Sequence, residues 1–394
     1  MNFDRRNFLR AAVPAAAAAS SLFAASAWHP LLAQIPPVST PTPEAPFTDI
    51  TVALNGDSPP VTNEQHIAEL VRLMAKGRYA DNYLKGGAVT EFEKKMAALL
   101  GKEDAAFFPT GTLANNIAVR LLCGEHRNLL VQHEAHLYWD EGQGPSILSG
   151  LNMIPLAPGK ASPPVEEITA LLDLASKTAY YPTKIGAISI ESPVRRQNGA
   201  CVPYAEAAKI TALARSRNIG THLDGSRLFL LSGAPNFQVK SYCALFDTVF
   251  VSIYKFLGAP FGAILAGKND LIAQAKELRH TFGGLIDHGW MAALPALAAC
   301  DGFEARFTQA RAASEQLLDG LQAAGGFTVR RVENGSNINF VQVSPARAIG
   351  LPERLAKADI RTLSLNDGTM KLWFNESILR QPMDRILAAF VGRT

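Results

Sequence analysis

Short apolar runs recur along this chain at intervals that leave room for a helix between most of them. Residues 129–131, 153–156, 185–190, 220–223 and 249–253 read as strands, and 165–174 and 204–217 as helices between them. Continuous apolar strands suit a sheet covered on both faces, and strand–helix alternation makes such a sheet mainly parallel. The expected fold is therefore α/β, a mainly parallel sheet with helices on both faces. Ligands of such sheets bind beyond the carboxyl ends of the strands. His136, Asp224 and Lys255 stand at those ends. Lys255 follows one apolar run and precedes Gly258, Pro260, Gly262 and a second run, 263–266. A lysine is rarely buried without a partner. Either its stem snorkels to a surface or its amine has chemistry to perform.

The spacing of Val89, Phe92, Met96, Leu99 and Leu100 predicts a helix over 89–100, with Thr90 and Glu93 placed as a capping box. A strand over 105–108 then runs through Pro109-Thr110-Gly111-Thr112 into a helix over 113–122. Such a turn is an ordinary βα connection. It is also an anion cradle, because free backbone N–H groups and the positive helix end meet at one spot. A long helical pattern over 303–324 stops at Gly325-Gly326. Strands over 327–332, 339–343 and 370–374 and helices near 351–358 and 380–391 follow. The expected division is a large domain over 48–302 and a small α+β domain over 303–394.

The first 33 residues read as an address. Arg5-Arg6 with Phe8-Leu9, an alanine-rich run and Ala25-Ser26-Ala27 fit a cleavable signal of the bacterial twin-arginine type, with a second cut possible after Ala33. An uncleaved anchor needs about 20 strongly apolar residues, more than this run offers. The expected location is periplasmic or exported, by way of the twin-arginine machinery. Residues 34–47 are proline-rich and extended, hence a linker. The net charge of +3 owes two units to Arg5, Arg6 and Arg10 against Asp4, which leaves no footprint for nucleic acid. Cys123, Cys201, Cys243 and Cys300 form no CxxC pair, so no metal site is expected. GxGxxG and GxSxG are missing, which disfavours dinucleotide-binding and α/β-hydrolase folds.

An anion cradle, an aspartate and a lysine make one chemical whole around pyridoxal phosphate. The cradle takes the phosphate, the carboxylate pairs with the pyridine nitrogen, and the lysine carries the cofactor as a Schiff base. Desolvation lowers a lysine's pKa toward the neutral amine this needs.

From about Thr48 onward the chain resembles the threonine aldolases of the β-eliminating lyase group, which have the aspartate-aminotransferase fold (pyridoxal-phosphate fold type I). The motifs are Phe108-Pro109-Thr110-Gly111-Thr112 with Ala114-Asn115, Ala135-His136 with Glu141, Ile190-Glu191, His222-Leu223-Asp224-Gly225-Ser226-Arg227, and Lys255 with Leu257-Gly258-Ala259-Pro260. The resemblance implies Lys255 as the Schiff-base lysine and Asp224 as the pyridinium partner. It implies phosphate binding by Thr110, Gly111 and Thr112, and His136 stacked on the ring. Arg227 would hold the cofactor or the substrate carboxylate. Glu141 reads either as part of this set or as a solvated carboxylate.

Other stretches depart from the family. Ser192-Pro193-Val194-Arg195-Arg196 lacks a histidine, Lys371 stands where an arginine is usual, Gly56-Asp57 replaces Ser-Asp, and Gly283 to His288 lacks the usual Arg-Gln. Lys371 and Arg195 are the remaining substrate-binding candidates. The expected activity is cleavage of the Cα–Cβ bond of a β-hydroxy amino acid through an external aldimine, with His136 or a water as base. The alternatives are β-elimination or other chemistry at Cα, and a ligand-binding protein on the same fold. The family resemblance further implies a homodimer or homotetramer.

Overall fold

A computed structural model describes residues 47–77, 79–177 and 183–392. The expected signal over 1–33 and nearly all of the linker lie outside the described residues. From Phe47 onward the chain forms one compact unit.

Among the described residues twelve strands follow in chain order: β1 (Val52–Leu54), β2 (Asp104–Phe108), β3 (Asn128–Gln132), β4 (Asn152–Leu156), β5 (Ile185–Glu191), β6 (Gly220–Asp224), β7 (Thr248–Ser252), β8 (Ala263–Gly267), β9 (Phe327–Arg331), β10 (Ile338–Val343), β11 (Ile360–Thr362) and β12 (Thr369–Trp373). Seven of them form the main sheet, in the order β2-β8-β7-β6-β5-β3-β4. β4, β3, β5, β6 and β7 pair in parallel, and β8 lies antiparallel between β7 and β2. β2 therefore points the same way as β7. The carboxyl ends of β2, β3, β5, β6 and β7 share one edge, the edge on which the sequence places its chemistry.

Successive residues of one strand enter different cores, which shows that both faces are covered. Ala105, Phe107, Val249, Val251 and Ile264 pack with Val89, Phe92 and Met96 of the helix Gly87–Leu100. Ala106, Phe108, Phe250 and Leu265 pack with Ala114, Ile117 and Ala118 of the helix Gly111–Cys123. β5 is buried at every position, as its unbroken apolar run requires.

β9, β10 and β12 form a three-stranded antiparallel sheet. Its core includes Leu317, Leu318 and Leu321 of the helix Phe303–Ala324. A division of the chain at residue 303 assigns β1 to the large domain, and here the structure corrects it. β1 pairs in parallel with β11, and Val52 and Leu54 bury among the C-terminal side chains. Ser377 Oγ accepts the Ala53 N–H, and Asn375 Nδ2 donates to the Ala53 carbonyl, so the strand is fixed by C-terminal residues.

The expected capping box at Thr90 is also corrected. Gly86 caps that helix without a side-chain bond, and Glu93 turns inward to accept the Phe107 N–H at 2.8 Å. A reciprocal capping box does occur at Thr62 and Gln65, at the head of the helix Asn63–Met74. No described helix is long and apolar enough to cross a membrane.

Candidate active site

Thr110, Gly111, Thr112, His136, Asp224 and Lys255 line one cavity of about 360 Å³ beyond the strand ends. The turn after β2 supplies the first wall. Thr110 is the N-cap of Gly111–Cys123, and its hydroxyl accepts the Leu113 N–H. The remaining first-turn N–H groups have no intrahelical acceptor and, with the helix dipole, favour an anion there. Gly111 is required by packing: a Cβ on it would lie 2.5 Å from Cζ of the Phe250 ring.

Asp224 ends β6, beside Glu191 in register on β5. Its Oδ1 accepts the Ser226 N–H at 3.1 Å and its Oδ2 accepts Asn115 Nδ2 at 3.0 Å. Asn115 is a hub. The same nitrogen donates to Glu141 Oε1 at 2.8 Å, while Asn115 Oδ1 lies 3.0 Å from His222 Nε2. His222 Nδ1 meets Thr248 Oγ1 at 2.8 Å. Burial lowers the pKa of His222 to about 4. A neutral ring donating from Nε2 and accepting at Nδ1 satisfies all these partners.

His136 opens the short helix His136–Trp139 after β3. Its Nδ1 lies 3.1 Å from Glu141 Oε1, whose side chain is fully buried. Glu141 is therefore a structural partner of the site and not a solvated carboxylate. The bond to Glu141 is the main force holding the His136 imidazole above its usual pKa, and burial raises Glu141 in turn. His133 stays outside, paired with Glu134 at 2.8 Å. His136, Glu141 and Asp224 bring ligand atoms within 4.8 Å of one another, but the Asn115 amide already donates to both carboxylates.

Lys255 follows β7 and is half-buried. Burial first, and the Arg227 guanidinium second, lower its pKa to about 8. A fraction of the amine is thus neutral near pH 7, as a nucleophile requires.

Arg227, Lys371 and Arg195 do not line this cavity. A chain of contacts connects them beside it. Arg227 Nε donates to Asp57 Oδ2 at 2.8 Å, and Trp373 Nε1 donates to Asp57 Oδ1 at 2.9 Å. Lys371 Nζ stands 5.1 Å from the Trp373 ring centroid and donates to Asn198 Oδ1, in the turn that begins with Arg195. Burial, then Arg195 and Arg227, lower the Lys371 pKa. Arg195 lies 3.7 Å from Asp140, which Arg196 holds at 2.6 Å.

The motifs carry Asn115 and Glu191 without a role, and the structure shows both at the centre of the hydrogen bonding. A buried amide between two carboxylates has no sequence signal of its own. Asp57 stood in the sequence only beside the Gly56 departure, with no partner named, since Arg227 is far along the chain.

The beta-eliminating lyase family matches residues 67–344. The chain is 27% identical over 294 residues to the low specificity L-threonine aldolase of Escherichia coli K12, covering 74% of this chain and 86% of that protein. It is 35% identical over 204 residues to an alanine racemase of Cochliobolus carbonum, covering 50% of each. This chain spans 50–60% of the length of the relatives from Schizosaccharomyces pombe, Cochliobolus carbonum and Candida albicans. The solved threonine aldolase of Leishmania major has the same fold, with a TM-score of 0.67 at 19% identity, covering 86% of this chain and 98% of that one. The family match spans the whole main sheet and every residue lining the cavity, and this chain belongs to the beta-eliminating lyase family.

Proposed function

We propose that this protein is a pyridoxal-phosphate-dependent lyase that cleaves the Cα–Cβ bond of a β-hydroxy amino acid. The observation that carries the reading is the convergence of Lys255, Asp224 and the Thr110–Thr112 helix start on one cavity. The donor set fits the cofactor: an amine whose pKa is lowered to about 8, a buried carboxylate, and a helix start packed so closely on Phe250 that Gly111 has no room for a Cβ. Lys255 would hold the cofactor through Nζ, Asp224 would face its ring nitrogen, the Thr110-Gly111-Thr112 turn would take its phosphate, and His136 would lie along the ring. When bound, the cofactor supplies an electron sink for the pair left on Cα.

The chain's own groups prepare that chemistry. Asn115 and the Ser226 N–H both donate to Asp224, which fixes the orientation of its carboxylate. Glu141 orients the His136 ring through Nδ1 and leaves Nε2 to take the proton of a β-hydroxyl. Arg227, Lys371 and Arg195 place positive charge for a substrate carboxylate, with Lys371 acting as a point charge where an arginine would grip two oxygens.

Incubation with threonine, allo-threonine and phenylserine tests this, with glycine and the matching aldehyde as expected products. The likeness to an alanine racemase supports a second reading, other chemistry at Cα. Racemisation of alanine without release of glycine would select it. Bound cofactor with no turnover of any amino acid would instead indicate a ligand-binding protein.

Export through the twin-arginine pathway to the periplasm is part of the proposal, supported by Arg5-Arg6 and the alanine-rich run. So is a homo-oligomer. Ile67, Val71 and Met74, at i, i+4 and i+7 of one helix, stand 62%, 64% and 47% exposed, a stripe that a second subunit would cover.

A further inference from the structure

β5 ends in a carboxylate that none of these roles uses. Glu191 is 1% exposed, and an ionised group so buried needs compensating donors. Its two oxygens have separate ones. Oε2 accepts the backbone N–H of His136 at 2.6 Å, and Oε1 accepts the backbone N–H of Arg195 at 2.9 Å. Both donors open an element, the helix after β3 and the turn after β5, where a backbone N–H has no partner within its own element. Gln132, the last residue of β3, fixes the backbone of Glu191. Its Oε1 accepts the Glu191 N–H at 2.5 Å, and its Nε2 donates to the Glu191 carbonyl at 3.2 Å.

The two segments carry different parts of the site. One bears His136, Asp140 and Glu141. The other bears Arg195, Arg196 and Asn198, the partner of Lys371. Their direct link, Arg195 and Arg196 on Asp140, involves exposed arginine side chains and contributes little. A buried carboxylate taking one N–H from each segment is the stronger tie.

We infer that Glu191 is a positioning residue, a single carboxylate that holds the His136 segment and the Arg195 turn in one register by accepting a backbone N–H from each. What the two segments do rests on the lyase reading; the tie itself does not. Burial and the neighbouring Asp224 push the Glu191 pKa up to about 7. The groups facing it are Asp224 on β6, His136 beyond β3, Lys255 beyond β7 and Arg196 on its own turn. The ionised form accepts on both oxygens. The acid form carries a proton on one of them, so the tie weakens as pH falls through about 7.

Hydrogen exchange at the His136 and Arg195 amides of the cofactor-loaded protein tests the inference in wild type, Glu191→Gln and Glu191→Asp. Gln keeps the shape but turns an NH2 toward one of the two N–H donors. Asp keeps the charge but is one methylene too short to span both. Both variants are expected to lose protection at one or both amides by about tenfold or more, with the β5 and β6 amides unchanged. Retained cofactor absorbance with kcat/KM lowered about 10- to 100-fold is expected alongside. Wild type taken from pH 8 to pH 6 should lose protection at the same amides, a comparison that needs no variant. Unchanged protection in Glu191→Gln, or full protection in Glu191→Asp, would overturn the inference, the latter by showing that charge alone suffices. Failure of the lyase reading looks different: wild type would show no cofactor band or no turnover, while the exchange comparison stays readable.

Discussion

A single hydrogen atom at position 111 lets the helix start approach the sheet. Phe250, whose ring a Cβ there would meet, is itself buried, so Gly111→Ala must push one of the two aside at a cost of about 1–3 kcal/mol. Equilibrium dialysis should show pyridoxal phosphate bound about 10- to 100-fold more weakly. A second expectation concerns His136. A base acts unprotonated, and the Glu141 bond that holds its pKa high moves the acid limb of the activity profile to higher pH. Glu141→Gln withdraws the charge, so the limb should shift to lower pH in a plot of log kcat against pH. A limb that stays in place would remove His136 as the base. At this scale the sequence was informative wherever a residue stands at a strand end, as with Asp224 and Lys255. It gave Asn115 a place in a motif but no role, because an amide between two carboxylates exists only once three distant segments meet.

Helix starts separate what spacing can and cannot convey. Thr90 and Glu93 have the spacing of a capping box, yet Thr90 Oγ1 accepts the Gly86 N–H and Glu93 is drawn inward to Phe107. Thr62 and Gln65 make the reciprocal pair, but they open a helix that buries Leu73 and leaves Ile67, Val71 and Met74 exposed, so no buried stripe marked it. Thr62→Ala should cost about 1 kcal/mol in urea unfolding. Thr90→Ala should cost less, since its single bond is exposed. β1 shows the other limit of local reading. Three residues cannot reveal a partner some three hundred positions away, and Val52 and Leu54 belong to the C-terminal core. Leu54→Ala should destabilise that core by about 2–5 kcal/mol, seen as a lower urea midpoint with the cofactor absorbance retained until unfolding. The buried central strands were the most legible elements, because a run apolar on both faces leaves little else to be.

On the scale of the molecule, the parallel sheet collects residues from five strand ends at one edge, and that convergence carries the proposed function. The direction of β8 was not readable, since a run apolar on both faces is the same in either sense. Export makes a separate expectation: cells producing the full chain should hold it in the periplasmic fraction, and replacing Arg5 and Arg6 with Lys should leave it in the cytoplasm. The central claim is that Lys255 carries a cofactor held by Asp224 and the Thr110–Thr112 turn. Its most direct test is the visible absorbance of the purified protein loaded with pyridoxal phosphate, compared with Lys255→Ala. Wild type should show the band of the lysine-bound cofactor, and the variant should lose that band together with aldehyde release from β-hydroxy amino acids. A variant that keeps the same band, or a wild type that never develops one, would contradict the account.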